Sequence, residues 1–398
     1  MDTIADKSCN HSNPFLMHLV KEINKYDKLW KAYSKKISFT KVAFPNNNLS
    51  SIPDYQNYPD DIKDNIQNMS KDLYKYQMNI QNKDIAIWII IDKKSQQSNQ
   101  YVDDIIYLIF LWLTMAIRHH TSSCSQTLNI YMFMTSSLKL LPSNFSGEMD
   151  RHHINSAFTY SCKKNNNIHI FREEEWFKVF IHETFHNLGF DFSGVDNGYS
   201  DVFASEIFPL NTDFRLYESY CETWATIIHS VFVYCKNEKK KNNNHICSDI
   251  SAIIEKEVMF SLFQCNKILH HFGMKYEDLY MQTEGSQFAR IHKYKESTPV
   301  ISYYFFKTIL LYNSKLFIEW CETKNDSTMV FLKNNENMAS VYEKIQLYAD
   351  FLKSLHKNKD LLVDMEDVRK KYTKNLSNIS PNDVFYFNTL RMCLHDIM

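Results

Sequence analysis

Apolar positions along this chain follow two different rhythms. From residue 85 to residue 171 they come in short runs rich in β-branched and aromatic side chains. IAIWIIID (85–92), LNIYMFMT (128–135) and NIHIF (167–171) predict buried strands. HHINSAFTYSC (152–162) is more mixed and predicts an edge strand. Between the first two strands, YVDDIIYLIFLWLTMAIRHH (101–120) predicts a buried helix. Its uncharged stretch from Ile105 to Ile117 is 13 residues, too short to span a bilayer. From Glu173 the rhythm turns helical. Trp176, Phe177, Phe180, Ile181, Thr184, Phe185 and Leu188 share one broad face, and Glu173, Glu174 and Glu175 fall in the expected first turn, where acidic charge suits the helix dipole.

Beyond residue 201 the pattern is almost wholly helical, at roughly 213–236, 248–272, 298–322, 338–356 and 382–396. The tract KNEKKKNNNH (236–245) predicts a solvated loop between two of these helices. At the other end, where four of the eight prolines lie before residue 60 (Pro14, Pro45, Pro53, Pro59), a helix at about 15–36 precedes irregular chain to about 65. A further helix is expected at 66–82. The expected fold is α+β: a small mixed sheet with one central helix, then a mainly helical C-terminal half. Three segments follow from it, 1–65, 66–200 and 201–398.

The chemistry is concentrated in FIHETFHNLG (180–189), which contains His-Glu-x-x-His. On a helix, His182 and His186 project from one face, one above the other, so both imidazoles reach one ion. Two neutral imidazoles suit Zn²⁺. Glu183, turned by about 100°, is placed to take a proton from a water at the open coordination position. Chance gives about 0.04 such patterns in a chain of this length and composition, and what strengthens the match is its context, after a predicted strand and in the middle of an amphipathic helix. The chain has only six glycines, and Gly189, Gly194 and Gly198 all follow the motif; Gly189 sits where a left-handed helix cap belongs.

A catalytic zinc needs a third protein ligand. RLYESYCETWATIIHS (215–230) places Glu218 and Glu222 one turn apart on a helix. One can bind the metal while the other holds a ligand histidine. Glu222 is preferred as the ligand, because Ala225 one turn on allows a close helix approach, and Glu218 is the alternative. In GVDNGYSD (194–201), Asp196 is a further candidate ligand and Tyr199 a candidate oxyanion donor; Tyr303, Tyr304 and His229 are the other donors considered. Position 192, the third histidine of a metzincin, is Phe192, with Asp191 one residue out of place.

These residues resemble the zincin superfamily, and within it the gluzincins, which include the thermolysin and neprilysin families. The resemblance covers about residues 85–230 and implies a zinc metallopeptidase acting on a peptide or protein. INSAFTYSC (154–162) is similar to the gluzincin edge strand that binds the substrate backbone. That implies substrate-binding roles for Asn155 and Ala157, although Ser156 is an extra residue between them. Gluzincins usually carry Glu-x-x-x-Asp on the second helix, whereas this chain has Glu218-x-x-x-Glu222. Composition and the ESYCETWA stretch also resemble uncharacterised HExxH proteins of giant DNA viruses. The competing expectation is a non-catalytic zincin-fold structural or interaction protein, such as a virion component.

Charge narrows the partners. With 45 basic and 46 acidic residues the net charge is −1, which gives no electrostatic reason to expect nucleic acid or an anionic membrane. The nine cysteines form no Cys-x-x-Cys pair, so mostly reduced, structural thiols are expected. The N-terminus has no apolar signal-peptide core, and a cytoplasmic location is the corresponding expectation.

Overall fold

The computed structural model describes residues 14–42, 52–69, 71–92, 99–119, 123–237, 245–333, 336–381 and 383–397. Most of the expected loop at 236–245, part of the irregular N-terminal stretch, and Cys9 lie outside the described residues. Helix α1 (Pro14–Tyr33) leads to strand β1 (Ser38–Val42), helix α2 (Asp60–Asn68) and the hairpin β2 (Lys71–Ile80) and β3 (Lys83–Asp92). Helix α3 (Asn99–His119), strand β4 (Thr127–Met134), the short helix α4 (Arg151–Ile154), strands β5 (Ala157–Thr159) and β6 (Asn165–Ile170) and helix α5 (Trp176–Leu188) complete the α/β half. Short helices α6 (Ser193–Asp196) and α7 (Tyr199–Ile207) then lead to the long helices α8 (Leu216–Asn237) and α9 (Ile246–His271). After α10 (Glu284–His292) come a π-helical turn (Ile301–Phe306) and helices α11 (Lys307–Tyr312), α12 (Ser314–Lys324), α13 (Met338–Leu355), α14 (Lys359–Asn375) and α15 (Val384–Asn388).

The fold is mixed α+β. Its sheet has the order β1-β2-β3-β4-β6-β5, parallel at β3/β4 and β4/β6 and antiparallel elsewhere. Alternation along the strands sorts the side chains onto two faces. Ile85, Ile87, Ile89, Ile130, Met132, Ile168 and Ile170 join the main core with α3 and α5. Ile90, Phe133 and Phe171 turn the other way, onto Tyr58, Ile62 and Ile66 beside α2. The main apolar cluster runs from Phe15 to Ile397 and passes through all three segments expected from the sequence. By length and composition Gln100–His119 could cross a membrane, yet 72% of that window is buried inside the protein.

Several expectations are corrected. Residues 66–82 are not a helix: α2 ends at Asn68 and β2 follows, joined to β3 by Gln81 and Asn82, both with positive φ. That is the backbone a two-residue hairpin turn requires. The expected edge strand at 152–162 shrinks to Ala157–Thr159, preceded by a helical turn that Asp150 caps. The helix expected at 382–396 is confined to Val384–Asn388. Beyond it Glu175 takes the backbone N–H groups of Met392 and Cys393, and Glu257 takes those of Leu394 and His395. Glu173, Glu174 and Glu175 precede α5 rather than filling its first turn, and Glu175 pairs with buried Lys139. One disulfide, Cys124–Cys162, replaces the expectation that these two thiols are free.

Candidate metal centre

Every residue of α5 is buried, so its polar side chains face protein rather than solvent. Trp112 on α3 donates to Thr184 Oγ1 (2.6 Å) and stacks on Phe185, which fixes the rotation of α5 about its axis. On the sheet side, Asn187 donates to Thr159 of β5 (2.9 Å) and the Cys162 N–H bonds to His186 O (3.1 Å), laying the edge strand along the helix. Gly189 ends the helix at φ +74°, and a Cβ there would meet Cys124 Sγ at 3.3 Å. Both the left-handed backbone and the approach of the disulfide call for glycine at this cap.

With α5 so fixed, α8 packs across it and brings one carboxylate to both histidines. Glu218 Oε2 lies 3.1 Å from His182 Nε2 and 3.1 Å from His186 Nε2, and the two Nε2 atoms are 3.1 Å apart. Tetrahedral coordination at 2.0–2.1 Å sets its ligand atoms about 3.3 Å apart, so this triangle fits one face of a zinc site with little adjustment. The donor set, two imidazoles and a carboxylate, is also that of a catalytic zinc with a position left for water.

Each histidine has a carboxylate behind it. Asp191 pairs with His186 Nδ1, and Glu222 Oε1 lies 3.2 Å from His182 Nδ1. Holding a proton on Nδ1 leaves Nε2 as the metal-facing lone pair. Glu222 also pairs with Lys178, one turn before His182 on α5. Glu222, preferred as the third ligand from the sequence, lies against His182 Nδ1 and Lys178, and Glu218 is the carboxylate brought within 3.1 Å of both Nε2 atoms. The cause is register: Glu218 lies in the first turn of α8, level with both Nε2 atoms, whereas Glu222 is one turn further on, level with Lys178.

The carboxylates around the two histidines set the electrostatics of the cluster. Burial opposes charge on His182, but Glu222 and Glu218 overrule it and push its pKa up to about 9. His186 is likewise raised, against burial, by Cys221, Asp191 and Glu218. Glu218 and Glu222 are both held far below the usual carboxylate range: burial is outweighed by His186 and His182 for Glu218, and by Lys178 and His182 for Glu222. The field that would keep protons on the imidazoles equally favours a dication. Glu183 behaves differently. Burial lifts its pKa to about 7, only partly offset by the two histidines. Among the described residues no ion pair or hydrogen bond reaches its carboxylate.

The other sequence candidates lie elsewhere. Tyr199 packs against Tyr342 (ring centroids 4.4 Å) and Phe203 (5.2 Å), away from the histidines. Asp196 accepts from the N–H (2.8 Å) and hydroxyl (2.6 Å) of Ser200, holding the start of α7. Tyr304 donates to Leu390 O, and His229 lies beside Phe177 (ring centroids 6.2 Å). Asn155 is engaged through Oδ1 by Thr298 (3.0 Å), while Ala157 opens β5, the last strand of the sheet on that side. Tyr303, on the π-helical turn, does reach the centre, with its ring centroid 6.1 Å from His182. Tyr217 flanks the other side, 5.9 Å from His186. Sequence reasoning missed that Asp191, Lys178 and Tyr217 lie against this cluster. A lysine four residues before a ligand histidine was the available signal that one acid of the second helix would be paired. Comparison with known protein families, curated proteins and solved structures yields no match, so the centre is characterised by its own geometry.

Proposed function

We propose that the chain is a zinc-dependent metallopeptidase, with His182, His186 and Glu218 as metal ligands and Glu183 as general base. The observation that carries this reading is the 3.1 Å triangle of Nε2, Nε2 and Oε2, with the unpaired Glu183 carboxylate next to it on α5. The order strand–helix–strand–edge strand–strand–motif helix, with an antiparallel edge strand, supports a zincin-like architecture for this half.

Zn²⁺ in this centre would supply Lewis acidity and lower the pKa of a coordinated water. The chain's own residues supply the rest. Glu183, unpaired and raised to about 7 by burial, is tuned to take a proton and return it to a leaving amine. Asp191 would hold the His186 imidazole in one tautomer through its Nδ1 hydrogen bond, and Glu222 faces His182 Nδ1 as a charged neighbour. Tyr303, whose ring lies beside His182, would supply the oxyanion donor, in the role the sequence reading gave to Tyr199. Among the described residues β5 is the last strand of the sheet beside α5, an edge suited to a peptide bound in extended form.

One observation favours the alternative of a structural or interaction protein. His182, Glu183 and His186 are only 6%, 7% and 8% exposed, and a separate cavity of about 310 Å³ lies at the start of α5, lined by Glu173–Phe177. Glu183→Gln separates the readings. A peptidase keeps its zinc in this variant and loses about 10²–10⁴-fold in kcat/KM on a cleaved peptide. A wild-type protein that binds zinc yet cleaves no member of a broad peptide library supports the structural alternative.

A further inference from the structure

A second cluster of donors lies away from the HExxH centre, where α1 meets the end of α3. His18 and Glu22 are one turn apart on α1, and His119 is the last residue of α3. Glu22 Oε2 stands 2.9 Å from His119 Nε2 and 3.5 Å from His18 Nε2, and one donor atom from each residue falls within 4.8 Å of the others. The two imidazoles meet edge to face with centroids 6.0 Å apart. An ordinary ion pair accounts for one histidine on this carboxylate. It does not require a second imidazole to aim the same nitrogen at the same oxygen.

We propose that His18, Glu22 and His119 form a second divalent-cation site, which takes a borderline metal such as Zn²⁺ and staples α1 to α3. Two imidazole nitrogens and one carboxylate oxygen are the donors such metals prefer over Ca²⁺ or Mg²⁺, which favour all-oxygen sites. The His18 side chain is 54% exposed, against 15% for Glu22 and 16% for His119, so one side is open to water for the remaining coordination. The helices that carry the donors are already locked together. Trp30 packs on Tyr107 (5.5 Å) and Phe110 (5.2 Å), and Tyr107 donates to Asp27 (2.5 Å). Closing the cluster around an ion is then a matter of the exposed His18 rotamer and not of helix movement. A preformed pair of donors with one adjustable arm keeps the ordering cost of binding low.

The staple has a structural consequence. Phe15 on α1 packs edge-on to Trp224 of α8 (5.5 Å), and α3 buttresses α5 through Trp112 and Thr184. Binding at His18–Glu22–His119 thus tightens the outer layer around the two helices of the HExxH centre without touching that centre.

Metal-stripped full-length protein is titrated with Zn²⁺ by equilibrium dialysis, and melting is followed in parallel. Wild type is compared with His18→Ala, His186→Ala and the double variant. The exposure of His18 makes its replacement a test of coordination rather than of folding. The proposal predicts two equivalents in wild type, one in each single variant and none in the double variant. It also predicts that zinc raises the melting temperature of His186→Ala and no longer does so once His18 is also lost. A single wild-type equivalent that survives His18→Ala, or no zinc at all, overturns the proposal. One equivalent kept in His186→Ala and lost in His18→Ala would support this site while overturning the HExxH centre, so the two readings fail separately.

Discussion

Replacing Lys178 by Met tests whether Glu222 stands behind His182 as a charged partner. Lys178 is fully buried, and Glu222 nearly so. Burial alone would strip the lysine of its proton, but Glu222 and then Glu175 keep it charged and raise its pKa. Removing one member of a buried pair leaves the other uncompensated and costs about 3–5 kcal/mol. Lys178→Met should therefore be strongly destabilising, and Glu222→Gln comparably so, because it strands the lysine. The double variant removes both charges together and should cost less than the sum of the singles by roughly 1–3 kcal/mol. Urea unfolding of the metal-stripped proteins at neutral pH provides the four numbers. The sign of the pH dependence is fixed as well. A lysine pKa raised above its unfolded value near 10.4 contributes stability fully below that pH and loses it only as pH rises through the folded value. The lysine's own contribution is thus fully present at the neutral pH of the measurement. Single variants costing under about 1 kcal/mol each, or strict additivity, would refute the pairing.

Two further expectations concern stability away from the centre. His169 and His229 are buried and their pKa values are lowered by burial to about 4, so the unfolded chain takes up protons that the folded chain refuses. Their contribution is present above about pH 6.5 and is lost as pH falls towards 4, at roughly 1.4 kcal/mol per pH unit for each histidine; His169→Gln should remove about half of this acid slope in unfolding measurements. The Cys124–Cys162 bridge closes a loop with a sequence separation of 38, for which chain entropy gives about 4 kcal/mol, so reduction or paired Ser substitution should lower the urea midpoint, and an unchanged midpoint would mean the thiols are not bridged.

The sequence made the α/β half readable where burial is one-sided or complete. β3, β4 and β6 appear as apolar runs because both faces of the central sheet are covered, and α3 because it is a core helix. β2 was hidden for the opposite reason. KDLYKYQMNI lies near the sheet edge with six of its ten side chains partly or fully exposed, and its turn uses Gln81–Asn82 in place of a glycine pair. The stretch expected as one helix at 298–322 is divided into the π-helical turn, α11 and α12, with the break at Asn313 between α11 and α12, and α14 was not anticipated at all.

The candidate centre divides in the same way between local and tertiary information. His182, Glu183, His186 and the Gly189 cap depend only on spacing along one helix, and the backbone realises that spacing directly. The choice between Glu218 and Glu222 depends on how far α8 slides along α5, which no local pattern encodes. Tyr199 and Asp196 were plausible by proximity in sequence, but the turn at Gly198 (φ +79°) sends that segment into α7 and away from the histidines. Tyr303 comes from a helical turn more than a hundred positions beyond the motif, and only the packing of the C-terminal half brings it to His182.

Zinc content, measured on purified wild-type protein beside Glu218→Ala and Glu222→Ala in a His18→Ala background, tests the central assignment most directly. That background leaves only the HExxH centre to be counted. The account predicts about one zinc per chain in the parent, its loss in Glu218→Ala, and its retention with weakened affinity in Glu222→Ala, where an outer-shell partner typically costs about 10–100-fold. Zinc retained in Glu218→Ala and abolished in Glu222→Ala would contradict the geometry. No zinc in the parent, even after reconstitution, would leave His182 and His186 as two buried histidines held by acids.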